Sequence, residues 1–197
     1  ELDKHRVVVE HKRGGSVLGS VLCKLRLSPW PPAMLPPLPT LDQIIGQFGA
    51  YWYTSEMREL FFPLGLDKCG PDIATRRYAD LREEAGLELY FYRDQARADD
   101  DVTANKGAEF SSAKFYSSRY LDARQWPGEL PLGLEFDASY RELVSRVGRE
   151  PDDGRDENLD GYAIWHFEDY SLHVQYSNVD NVILCCSVFA PGAMQPR

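Results

Sequence analysis

The sequence predicts an α+β fold made of two successive units, each opening with short helix and closing in antiparallel sheet. Three observations predict it. Ser-x-x-Glu and Thr-x-x-Gln capping boxes open helices at both Ser139 and Thr40. After each helical stretch the apolar period drops from 3.6 to 2, as a strand requires. The strands follow one another across short polar turns, which favours hairpins over the long crossovers of a parallel sheet. The two halves share this pattern more than residue identity, which leaves a tandem repeat as one reading of them.

The later unit, residues 125–197, is the more legible. Ser139 and Glu142 can satisfy each other's backbone N–H groups, and Leu143, Val144 and Val147 form the apolar stripe of the helix they open. Gly148 stands where a left-handed residue ends such a helix, and Pro151 prevents its resumption. In 162–167, Ala163, Trp165 and Phe167 alternate with Tyr162, Ile164 and His166. In 170–176, Tyr170, Leu172, Val174 and Tyr176 alternate with Ser171, His173 and Gln175. Residues 182–189 are apolar almost throughout, as in a strand buried on both faces. Glu168-Asp169 and residues 177–181 supply the turns.

The earlier unit, residues 40–124, begins with a helix over 41–48 whose face is Leu41, Ile44, Ile45 and Phe48, closed by Gly49. A second helix over 56–62 is capped by Thr54 or Ser55 and stopped by Pro63. Strands are expected over 76–81, 87–92 and 110–120, with an acidic loop over 95–108. Residues 125–129, with Trp126, Pro127 and Gly128, connect the units. Residues 1–39 read as a leader, non-native or disordered, that ends in a Pro-rich spacer; a basic arm that binds a partner is the alternative.

Composition narrows the function classes. A hydrophobic share of 43% and an aromatic share of 12% belong to a globular chain. No apolar run is long enough to span a bilayer. Cys23, Cys69, Cys185 and Cys186 have no framework spacing and read as buried thiols in a reducing compartment, so the expected location is the cytoplasm. Residues 34–197 hold 16 Lys/Arg against 28 Asp/Glu, whereas residues 1–33 hold six against three. Such an acidic body argues against nucleic acid and anionic membrane and for a basic partner.

Motifs for chemistry are sparse. Asp156, Asn158 and Asp160, followed by Gly161, match the opening of a calcium loop. The closing Glu would fall at position 167, which is Phe, so an acidic turn is the better reading and no metal or cofactor is expected. His166 and His173 with Cys185 or Cys186 lack the paired spacing of a zinc site. Neither a nucleophile elbow nor a Gly-rich phosphate loop is present. The aromatics at 90–92 and 115–116 are read as core in preference to an RNA-stacking platform.

The segment LPLGLEFDASYRELVSRVG, then Pro151-Asp152, then WHFEDYSLHVQY, is similar to the helix-plus-sheet repeat of the β-lactamase inhibitor protein and small outer-membrane-assembly lipoproteins. More closely, with the helical stretch at 41–50 and the LGL at 64–66, the chain resembles bacterial proteins of toxin–immunity loci. That resemblance implies an immunity protein that occludes a cognate toxin, such as a basic nuclease, and implies no active-site residue. The candidate contacts are Asp99, Asp100 and Asp101 in the first acidic loop, and Asp152, Asp153, Asp156 and Glu157 in the second. His166, His173 and Gln175 on the polar strand face complete the set. A small metal-dependent hydrolase using the acidic loop, or an assembly module without a toxin, are the alternatives.

Overall fold

In the computed structural model, residues 37–92, 108–120, 122–156 and 159–193 are described. Asp99, Asp100, Asp101, Glu157 and Asn158 lie outside them, as does residues 1–36 of the expected leader.

Both capping boxes form. Thr40 and Gln43 satisfy each other's N–H groups at the start of α1 (Leu41–Ile45), and Ser139 and Glu142 do so at the start of α5 (Tyr140–Val147). Helix α1 is shorter than its apolar stripe suggests. Beyond Ile45 the chain tightens into turns bonded at i+3, and Gly49 donates its N–H to the Phe110 carbonyl. Thr54 caps α2 (Ser55–Phe61), which buries Met57 and Phe61 one turn apart. Two 3₁₀ turns, Phe62–Leu64 and Leu66–Cys69, lead into α3 (Gly70–Arg76).

Residues 76–81 are not strand throughout. Arg76 ends α3, Arg77 takes a left-handed φ of 63°, and only then does β1 (Tyr78–Leu81) begin. The short α4 (Arg82–Ala85) and Gly86 reverse the chain into β2 (Leu87–Tyr92), which pairs with β3 (Glu109–Tyr116). The third expected strand thus stops four residues early. The second acidic segment, expected as loop, contains a strand: β4 (Asp153–Asp156) pairs with β5 (Asp160–His166). All four β4 residues are exposed, so no burial pattern announces the strand. β6 (Ser171–Ser177) and β7 (Val182–Phe189) follow as read.

The fold is α+β, with one seven-stranded sheet in the order β1-β2-β3-β7-β6-β5-β4, antiparallel at every step. Strands from before and after the 125–129 connector therefore meet at the β3–β7 ladder. About that ladder β2 corresponds to β6, and β1 to β5. Pro-Leu-Gly-Leu also occurs in both halves, at 63–66 and 131–134, each time at a 3₁₀ turn ahead of a helix and strands.

The helices cover one face of the sheet. Ile44, Met57, Phe61, Ile73 and Leu143 pack with Leu87, Leu89, Phe115, Trp165, Val174 and Cys186 in one core. Burying each large apolar side chain there contributes about 1.5–3 kcal/mol. On the same side the Tyr176 ring lies across Gly161 of β5 and stacks on Tyr140 at 4.6 Å. A Cβ at Gly161 would stand 2.3 Å from that ring, so this glycine serves cross-strand packing inside a strand. Among the described residues no helix is long and apolar enough to cross a membrane.

Candidate functional site

Pleating sends the alternate residues of each strand to the sheet face turned away from the helices. The registers name them. Asp80 stands beside Glu88, and Glu88 beside Lys114, while Tyr116 stands beside Cys185. Further on, Gln175 is opposite Cys185, His173 is between Ser187 and Ile164, and Tyr162 is opposite Gln175. The expected set is thus partly gathered. His166, His173 and Gln175 share this face, and Asp153, opposite Ile164, shares it too.

Asp156 does not. It is opposite Gly161, on the helix-covered side, where its carboxylate accepts from the Asn178 amide at 2.6 Å. Asp152 precedes β4 and is engaged in the fold. One carboxylate oxygen accepts from Arg149 at 2.6 Å, and the other from the His166 backbone N–H at 2.7 Å. Those two bonds, the guanidinium first, hold the Asp152 carboxyl below its ordinary range. Among the described residues no three of His, Cys, Asp and Glu come together as a metal would need.

Sequence reasoning missed a polar network at the β1–β3 end of the face. Glu88 is 6% exposed. Its carboxylate accepts from the Tyr90 hydroxyl at 2.6 Å and from the Tyr116 hydroxyl, and it pairs with the Arg82 guanidinium, whose Nε lies 3.1 Å away. Tyr90 is two residues along the strand from Glu88, and Tyr116 is the diagonal cross-strand neighbour, which is why both hydroxyls reach one carboxylate. Asp80 completes the set by taking Arg82 in two parallel bonds of 3.0 and 2.7 Å. Burial, then the Glu88 carboxylate, pushes both phenols far above their ordinary range, so they remain donors at any physiological pH. The Asp80 bonds raise Arg82, and the Arg82 bond lowers Asp80. The signal available in the sequence was the Glu88–Tyr90–Tyr92 alternation; the partner strand's register was not.

The middle of the face is uncharged. His173 packs edge-on to Tyr162 with centroids 5.5 Å apart, and its ring lies 6.3 Å from that of Phe189. Burial, with Lys114 nearby adding to it, lowers the His173 pKa to about 4, so the imidazole is neutral near pH 7. The Cys185 thiol donates to Gln175 Oε1 at 3.4 Å, and burial raises it to about 11. The half-buried Ile164 adds apolar surface, while Phe189 is buried. Charge lies on both sides of it: Asp80 and Arg82 at one end, Asp153 and Arg155 at the other, and Lys114 of β3 close to the centre, opposite Ser187 of β7. Lys114 Nζ sits 5.0 Å over the Tyr116 ring and 5.4 Å over Tyr120.

This arrangement can recognise a surface. A neutral, aromatic and amide-bearing centre with a charged margin has the anatomy of a protein-binding patch. No known protein family, curated protein or solved structure matches the chain.

Proposed function

We propose that this chain is an immunity-type inhibitor that binds a basic protein toxin, such as a nuclease, in the cytoplasm and occludes its active site. The observation that carries the reading is the sheet face turned away from the helices, with His173, Tyr162 and Gln175 at an uncharged centre and charges along the rim. Rigid strands present that centre, so little side-chain freedom is lost on docking. The charge of the chain supports the choice of partner. Residues 34–197 carry a balance of −12, which steers a cationic surface towards them before contact. Inhibition of this kind needs no bond-making chemistry: the inhibitor covers the catalytic groups of its target.

The test is co-expression with the product of each adjacent gene, followed by stopped-flow association of any pair that protects the cells. Rescue from growth arrest and an on-rate that falls steeply between 50 and 500 mM salt are the expected results. Failure of every neighbour to bind, or a salt-independent on-rate, overturns the reading.

A further inference from the structure

At the middle of the open sheet face the registers set one small polar residue between two long ones. Ser187 of β7 is opposite Lys114 of β3 on one side and His173 of β6 on the other. Cross-strand neighbours hold their Cβ atoms about 4.5–5.5 Å apart, so the three side chains border one spot. The serine is the shortest of them, which leaves a dip above it. Ser187 is 2% exposed, and its hydroxyl makes no hydrogen bond among the described residues. Since no fully enclosed side-chain oxygen or nitrogen among them lacks a partner, the Ser187 hydroxyl opens into the dip.

Lys114 sets a charge beside it. Its neighbour on the other side, Glu88, is held by Tyr90, Tyr116 and Arg82. Among the described residues no carboxylate lies within ion-pair reach of Lys114. The ammonium instead leans over the Tyr116 and Tyr120 rings, at 5.0 and 5.4 Å. Burial lowers the His173 pKa and Lys114 adds to it; burial raises Cys185 and Lys114 opposes it. The charge therefore acts across the dip and on the row of side chains next to it. In that row Gln175 uses its Oε1 to accept from the Cys185 thiol, which leaves its NH₂ as a donor. An ammonium, a hydroxyl and an amide thus border one dip, with no carboxylate among them.

We propose that this dip receives a carboxylate side chain of a protein partner, with Lys114 pairing its charge and Ser187 donating to its second oxygen. The proposal rests on the reading of a basic toxin and names the anionic group that such a toxin presents at the centre of the contact. A carboxylate fits better than a phosphate, because residues 34–197 carry a balance of −12 and repel a dianion more strongly than a single charge. The acidic body and the dip make complementary demands: cations around the partner's rim and one carboxylate in its middle. A cationic cleft built around a general-base carboxylate meets both.

The experiment titrates the full chain with acetyl-glutamate-amide, with acetyl-glutamine-amide and inorganic phosphate as controls. The readout is the pair of His173 imidazole C–H resonances, assigned through His173→Asn. A saturable shift at about 10 mM is expected with the glutamate probe, and one about tenfold weaker with either control. Lys114→Met should weaken the glutamate probe about tenfold, and Ser187→Ala about threefold. Ser187→Ala should also leave the melting temperature unchanged, since its hydroxyl bonds nothing in the fold. No saturable shift, an equal response to either control, or unchanged binding by both variants overturns the proposal. A lowered melting temperature for Ser187→Ala would give that hydroxyl a partner within the fold and overturn its role as donor. These titrations use no toxin, so their failure leaves the immunity reading standing. A toxin found by co-expression should bind Lys114→Met about a hundredfold more weakly; unchanged affinity removes the dip from the interface without touching that reading.

Discussion

Replacing Glu88 with Gln tests whether the carboxylate network anchors its end of the sheet. The side chain keeps its shape but loses its charge and one acceptor oxygen. In the native protein that carboxylate accepts from two phenol hydroxyls and pairs with the Arg82 guanidinium. A glutamine must turn its NH₂ towards one of those donors. Either a tyrosine hydroxyl rotates to accept, or a donor faces a donor. Hydrogen bonds to a charged group contribute about 1.5–3 kcal/mol each. Arg82 keeps both bonds to Asp80 and a tyrosine can reorient, so the expected net loss is about 2–3 kcal/mol. Urea unfolding should show a lower midpoint with an unchanged slope. The melting temperature should fall by roughly 5–10 °C. The same substitution should let Tyr90 and Tyr116 titrate earlier in alkaline absorbance titrations, since the carboxylate adds to burial in holding them protonated. The linkage has a definite sign. Phenols raised in the folded state add stability that is complete below about pH 10 and is lost as the pH climbs above it. A Glu88→Gln protein that unfolds within about 0.5 kcal/mol of the parent, with unaltered tyrosine titration, would refute the reasoning.

Two further outcomes follow from the same geometry. Gly86→Ala puts a Cβ 2.3 Å from the Arg124 carbonyl oxygen and 2.5 Å from the Trp126 nitrogen, at a φ of 70°. We expect a loss of about 3–5 kcal/mol by chemical denaturation, and refolding to near-parent stability would contradict the close approach of the connector. His173→Asn should flatten the pH dependence of stability between about pH 6.5 and 4. The native imidazole resists protonation until about pH 4 whereas the unfolded one accepts a proton near 6.5, so stability falls as the pH drops through that window. Equal acid sensitivity of parent and variant would count against this.

The parts of the fold legible in the sequence are those whose cause is local. Thr40 with Gln43 and Ser139 with Glu142 close their boxes within three residues, so residue identity suffices. β5 and β6 are half-covered, and their alternation records which side is buried. β4 has no buried residue and leaves no such record, and its four residues become a strand through β5 and the Asp152 bonds. Arg77 was equally opaque, because a left-handed arginine has none of glycine's sequence signature. The polar residues of the sheet face divide the same way. His166, His173 and Gln175 share one face because a strand alternates; Glu88 and Tyr116 meet across 28 residues because two strands took one register among several.

By itself, then, the sequence determined the α+β class, the starts of α1, α2 and α5, the face that β5 and β6 would bury and the acidity of the body. Periodicity and capping act over a few residues, and charge is a sum over residues. Tertiary structure alone decided that β3 and β7 would join the two halves in one sheet. It also decided that Gly161 would lie under Tyr176, and that of two identical Pro-Leu-Gly-Leu segments one would bury its leucine and the other turn it outward. Those outcomes depend on what stands opposite each residue, and neighbours distant in the chain are chosen by packing the whole.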